Sequence, residues 1–461
     1  MLRSGVTNEG ALYELVARGN KDTYFLKDDF SAVSPFDMRY KQTPAHVHER
    51  RRIPPLNSGD FGRTCEWEFE VAGDIVTDPT ILIDLPSWLP PHIAAQNKKT
   101  VITDLSGQSH GYTNGVAYFL FSKIQIYVDQ ILLQEFSGDA LFGTTRSRGS
   151  LNSAFLDNVV TGTHKGTQLD IQHNATPGQM RLRLPFVGCQ HPDDGGFPSV
   201  SARQQTYKVR ATLRKLEDLV EASDGRSKPI PWETTMFMGK EKTPFQTLSR
   251  TAIGQPTIQL ETRHIYVDSE SKQRLLDSEL EIPYSRLYEN TFTYGATDYA
   301  PLKRNSVATA TRRLDAVHPA SKIVFWGHTQ ASLMANQYAK VIAPTATGEY
   351  YNNIALYVAG RDRESIFPPL IWNKIQTHAK EERDAGPGYG FMNWELGDIR
   401  GREVPFARQP EGTVNFSSAD RPTLYIDLAA HASQNLQLTA VVDTWAVFQT
   451  AKGRAGLKYG N

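Results

Sequence analysis

Gly107-Gln-Ser109-His-Gly111 sets a serine between two glycines, the spacing of a hydrolase nucleophile elbow. That chemistry needs a strand before the serine and a helix directly after it, so that the hydroxyl stands clear of a parallel sheet. Val101-Ile-Thr-Asp-Leu105 supplies the strand, but Tyr112-Thr-Asn-Gly115 is a turn, and the stretch reads as a polar loop. His46-Val-His48 is a second candidate, because alternate strand residues share a face and two imidazoles there can begin a metal site. The only nearby carboxylate, Glu49, adjoins His48 and faces the other way, so His46 to Arg52 reads as a solvated basic loop. His318, beside Pro319, has no second ligand at metal spacing and reads as a satisfied histidine at a turn. Gly386-Pro-Gly-Tyr-Gly390 lacks the strand–turn–helix setting of a nucleotide loop. Asn174-Ala-Thr176 and Asn415-Phe-Ser417 are glycosylation sequons, the first followed by the unfavourable Pro177. No catalytic residue, cofactor site or metal site is expected from these patterns.

The elements around these residues are short and strand-like. With 461 residues, two hydrophobic cores are expected rather than one. Aromatic residues at 10%, with 34 Gly and 26 Pro, suit many strands joined by turns. Lys+Arg and Asp+Glu are both 50, so no basic excess argues for direct nucleic-acid binding and no acidic excess argues for disorder. Cys65 and Cys189 are the two cysteines, which excludes a disulfide framework and points to a reducing compartment. The opening residues lack the apolar run of a signal peptide, and no stretch has the roughly eighteen apolar residues of a membrane span, so a soluble protein made in a cytosol is expected.

Along the chain, Leu12, Leu15 and Val16 fall at helical spacing in an amphipathic N-terminal arm, residues 1–26. Thr64 to Val71 is the clearest strand: Cys65, Trp67, Phe69 and Val71 alternate with Glu66, Glu68 and Glu70, which makes Cys65 a buried small hydrophobe. Tyr207, Val209, Ala211 and Leu213 form one face of another strand. Glu221 to Pro231 is polar and rich in Gly and Pro, and marks a linker over 221–233, between domains at 27–220 and 234–461. Ile124-Gln-Ile-Tyr-Val-Asp129 is repeated as Ile354-Ala-Leu-Tyr-Val-Ala359, 230 residues on, which fits two similar β domains in tandem. Ser271 to Glu279 is the best helix candidate. Late in the chain, Pro410 and Gly412 provide a turn, and Leu424, Ile426 and Leu428 alternate with Tyr425 and Asp427 in a strand.

Several of these stretches, in order, resemble the major capsid proteins of nucleocytoplasmic large DNA viruses, of which the chain looks like a divergent member. They are Gly10 to Leu26, Ser122 to Asp139, Leu184-Pro-Phe186 with Phe197-Pro198, Val267 to Arg274, and His318-Pro319 before Ile323-Val-Phe-Trp326. Pro410 to Asp420 and Gly453 to Tyr459 complete the series. The chain departs from the family pattern in having Val128-Asp129 where two glycines are usual and Val317 where Asn is usual.

The resemblance implies an all-β fold of two tandem eight-stranded antiparallel jelly rolls with few short helices. It implies a non-enzymatic late structural protein that forms homotrimeric, pseudo-hexagonal capsomers in an icosahedral virion shell around an internal membrane. The partners it implies are the chain itself, neighbouring capsomers, minor capsid or cement proteins, and the membrane through the N-terminal arm. It places the protein in the virion capsid, assembled in host cytoplasm. A minor capsid paralogue of the same fold, or a cupin-like jelly-roll protein binding metal or carbohydrate, is the alternative reading.

Overall fold

The computed structural model describes residues 45–69, 72–87, 101–147, 172, 177–190, 195–226, 232–238, 243–246, 250–342, 349–376, 388–395, 412–416, 422–429 and 435–458. The N-terminal arm at 1–26 lies outside them, as does Asn174. Residues 1–45 cluster as a unit separate from 46–461, and the described strands and helices all belong to the second unit.

Sixteen described strands have five or more residues, and they are numbered here in chain order. The first eight are β1 (His46–Ile53), β2 (Thr64–Phe69), β3 (Ile75–Asp84), β4 (Phe121–Val128), β5 (Ile131–Phe136), β6 (Gln179–Arg183), β7 (Tyr207–Leu213) and β8 (Thr257–Val267). The second eight are β9 (Leu280–Tyr294), β10 (Ala308–Arg313), β11 (Pro319–Thr329), β12 (Tyr351–Val358), β13 (Arg361–Phe367), β14 (Tyr389–Asn393), β15 (Thr423–Leu428) and β16 (Leu436–Ala451). The first set pairs as two antiparallel sheets, β1-β8-β3-β6 and β2-β7-β4-β5. The second pairs as β9-β16-β11-β14 and β10-β15-β12-β13, the same order with eight added to every label. One strand plan, used twice, makes the chain a double jelly roll.

The repeat seen in the sequence falls on equivalent strands, β4 and β12. Each enters its hairpin through a left-handed residue, Asp129 at φ 52° and Ala359 at φ 55°. Aspartate tolerates that region, and Ala359 is followed by Gly360, itself at φ 69°.

Period-two patterning builds the first core. Cys65, Trp67 and Phe69 of β2 stand beside Val209 and Ala211 of β7 and Ile124 and Ile126 of β4 on the inner face of one sheet, all buried. The strand pairing departs from the expected division at 221–233. Strand β8 lies beyond that polar segment yet bonds to β1 and β3, completing the first roll's sheet. The 220–246 segment is therefore part of the connection from β7 to β8; its short strand Val220–Ala222 pairs with His110–Tyr112. The chain passes to the second roll through the helix Ser269–Asp277, whose N-cap Asp268 accepts from the Ser271 N–H. The segment expected as a basic loop at 46–52 is also a strand, held along its length by β8.

The second roll's β9-β16-β11-β14 sheet is covered on both faces. Ile323, Phe325, Met392, Ala440 and Val442 point into the second roll's own core. Their neighbours Val324, Trp326, Phe391 and Val441 join the first roll's core instead. The far ends of β9 and β16 reach the same cluster, with the Phe448 ring 5.6 Å from Phe197. A sheet wetted on one face reads as alternating polar and apolar; one buried on both reads as a near-continuous apolar run, which is what Ile323-Val-Phe-Trp326 is.

Candidate functional site

Ser109, His110 and Asp104 do lie together, but not as a triad. The Ser109 hydroxyl is fully buried and donates to the Ile102 carbonyl at 3.0 Å, while the Ser109 N–H donates to the Ser223 Oγ at 3.0 Å. His110 Nε2 lies 3.0 Å from Asp104 Oδ2. Burial, only partly offset by Asp104, lowers the imidazole's pKa. No helix follows Ser109; the strand His110–Tyr112 does. The Gly-x-Ser-x-Gly stretch therefore ties 102–112 to the 220–223 segment, with Ser223 Oγ donating in turn to Gln108 Oε1 at 2.7 Å.

His46 and His48 share the outward face of edge strand β1, both exposed, with ring centroids 5.2 Å apart. Glu49 points the other way, as the alternation requires, and accepts from Tyr266 Oη at 3.0 Å and from Arg51. Among the described residues no group of three or more His, Cys, Asp or Glu side chains is placed to hold a metal. His318 is half-buried at φ 77°, and its carbonyl accepts from the Phe416 N–H at 3.3 Å. Gly412 takes φ 78°, as its turn demands, and Asn415 is exposed in a two-residue strand paired with Pro319.

Both cysteines are buried small hydrophobes. Cys65 donates to the Ala211 carbonyl and Cys189 to the Val76 carbonyl, at 3.4 and 3.3 Å. Burial pushes the Cys65 thiol up to about 12. Neither cysteine is expected to react with a thiol reagent such as DTNB in the native protein, and both should react after denaturation. Rapid labelling of Cys65 in the native chain would contradict the placement of β2 against β7.

The residues that sequence patterns did not single out line a cavity of about 310 Å³ at the junction of the two rolls. Asp139, near the start of the helix Gly138–Ser147, ion-pairs with Arg214, which follows β7. The Arg214 guanidinium also lies over the Tyr338 ring, 4.3 Å from its centroid. His328 donates through Nε2 to the Tyr338 carbonyl at 2.7 Å, and burial lowers its pKa and keeps it neutral. Glu289 completes the wall; burial raises its pKa, the Ser137 hydrogen bond opposes that rise, and Asp139 adds to it.

A carboxyl whose pKa is raised by folding costs stability at pH values above its unfolded pKa, and the cost disappears as the pH falls. Glu289→Gln should therefore raise the melting temperature near neutral pH, with the gain shrinking as the pH approaches the ordinary glutamate range. Melting curves of both proteins across pH test this; a gain that does not change with pH would sink it.

Among the described residues, this cluster of buried ionisable and aromatic groups packs the two rolls together. No protein-family model and no curated protein matches the chain. Solved structures do match it along nearly its whole length. VP54 of PBCV-1, a crystal structure fitted into a cryo-EM reconstruction of the virophage Sputnik, aligns with a TM-score of 0.67 at 15% identity, covering 92% of this chain and 100% of that one. The Faustovirus major capsid protein aligns at 0.58 and 12% identity, over 91% and 93% of the two chains. A chain of the Sputnik virophage structure aligns at 0.57 and 9% identity, over 94% and 92%. The likeness is one of fold, and it agrees with the repeated strand order.

Proposed function

We propose that this chain is a structural capsid protein, without catalytic activity, whose function is self-association into the shell of a large DNA virus or a related virophage. One observation carries the reading. The whole described plan, two rolls of identical strand order joined across a shared core, aligns over 92% of the chain with VP54 of PBCV-1 and over 100% of VP54 itself. A fold can host many functions, so the match of the whole two-roll plan, rather than of one roll, is what supports the reading. The junction supports the reading too, because a covered sheet face fixes the two rolls as one block that can be repeated.

On this reading three copies form a pseudo-hexagonal capsomer of six rolls. Capsomers contact one another and minor capsid proteins, the N-terminal arm at 1–26 meets an internal membrane, and the virion capsid, assembled in host cytoplasm, is the destination. Sugar on the exposed Asn415 is compatible with an outward position. The first test is the mass of the purified chain by size-exclusion chromatography with light scattering, followed by negative-stain imaging. A stable trimer with six-lobed particles is expected. A monomer at every concentration and salt condition would overturn the proposal.

A further inference from the structure

In the first roll, β5 and the helix after it carry Leu133, Phe136, Ala140, Leu141 and Phe142, all buried. The outward face of the second roll's β9-β16-β11-β14 sheet closes over part of this stretch: Trp326 covers Gly143 and Tyr284 Oη donates to the Leu133 carbonyl at 3.2 Å, while Phe142 packs on Tyr118 and Phe119 of its own roll. The same place in the second roll is the end of β13 and the turn and short π-helix after it, Ile371–Ile375. There Ile366 is 50%, Phe367 39%, Leu370 58% and Ile375 49% exposed. The stretch is held from beneath by Trp372, fully buried, whose Nε1 bonds the Ile354 and Phe367 carbonyls. An ordered apolar surface is thus open in one roll and covered in the other.

The covered copy shows what fits: the outward face of a sheet with the order β1-β8-β3-β6 or its equivalent. The chain has two such faces. One is used internally, and the other, on the first roll, is open. It carries Arg50, Arg52 and Arg181 converging on the buried Glu261 at 3.6, 3.1 and 3.0 Å, with the arginine side chains 63%, 56% and 45% exposed. Both surfaces are open in one chain, so they do not meet each other within it.

We infer that the Ile366–Ile375 surface of one copy docks on the arginine-bearing outward sheet face of the first roll of a second copy, repeating between chains the contact that joins the two rolls within one. This rests on the capsid reading and names its joining faces. Guanidinium planes and their aliphatic stems suit Phe367 and Leu370, as Arg214 over Tyr338 does at the internal junction. The contact is head-to-tail, so each chain offers one of each surface and successive copies can close into a ring.

Such a contact has a distinctive test with the full-length chain. Leu370→Glu spoils one surface and Arg181→Glu the other; Arg50 and Arg52 stay on Glu261 in the latter. Each variant alone should be monomeric by light scattering, with association at least tenfold weaker and the melting temperature close to that of the parent. Mixed one to one, they should form a complex of two chains and no larger, because a single intact junction remains. Ile375→Glu and Arg52→Glu provide a second pair if either variant misfolds. Parent-like assembly of the variants, or a mixture that stays monomeric, would overturn the inference while leaving the capsid reading standing. A parent that never associates would remove the capsid reading itself.

Discussion

Trp326→Ala is expected to lower the unfolding free energy by about 3–5 kcal/mol, the range for removing a fully packed large aromatic. The indole is 2% exposed, yet it is not in its own roll's core. It stands on the outward face of β11, packs with Tyr389 at 5.7 Å between ring centroids, and closes over Gly143 of the first roll. Its loss leaves a void between the rolls that rigid sheets cannot collapse to fill. Denaturant titration should show the drop, and the second roll should become the more readily digested half in limited proteolysis. Phe325→Ala, one residue away and pointing into the second roll's own core, should cost a similar amount while leaving the packing between the rolls in place. A loss below about 1 kcal/mol for Trp326→Ala would mean that the junction is not packed as described. Gly143→Leu approaches the same contact from the other side, since any Cβ there meets the Trp326 ring.

That junction explains which parts of the structure the sequence disclosed. Strands with one wet face were legible: Cys65-Glu-Trp67-Glu-Phe69 alternates because its sheet has water on one side, and the burial follows the letters. The repeat at Ile124 and Ile354 was legible because equivalent strands of the two rolls meet similar surroundings. Strand β1 was not, because its outward His46, His48, Arg50 and Arg52 and its inward-side Glu49 and Arg51 are all polar, and an edge strand polar on both sides has the composition of a loop. The end of the first roll was misplaced for a related reason. A polar segment rich in Gly and Pro looks the same whether it links two domains or carries the chain from one sheet to another, and only the pairing of β8 with β1 and β3 separates the cases. The junction cluster had no local signature at all. Asp139 and Arg214 are 75 residues apart, and nothing near either announces the other.

Trp372→Ala carries the second large effect, and it separates stability from association. Trp372 is fully buried, it packs against Phe367 at 5.6 Å, and its Nε1 satisfies two carbonyls that truncation would leave unpaired. Cavity and lost hydrogen bonds together should cost about 3–5 kcal/mol in the second roll. The exposed surface it supports, Ile366 to Ile375, should lose its fixed shape beyond the end of β13 at the same time, because the buried indole is what holds the turn and π-helix down, although Tyr351 Oη still donates to Asn373 Oδ1 at 2.8 Å. A protein that remains folded at low temperature but no longer associates is therefore expected. Trp67→Ala is the control. Trp67 is equally buried but sits in the first roll's interior, away from the Ile366–Ile375 surface, so a comparable loss of stability there should leave association largely intact. Equal loss of association in both variants would show that assembly merely tracks global stability, and the surface around Trp372 would lose its special role.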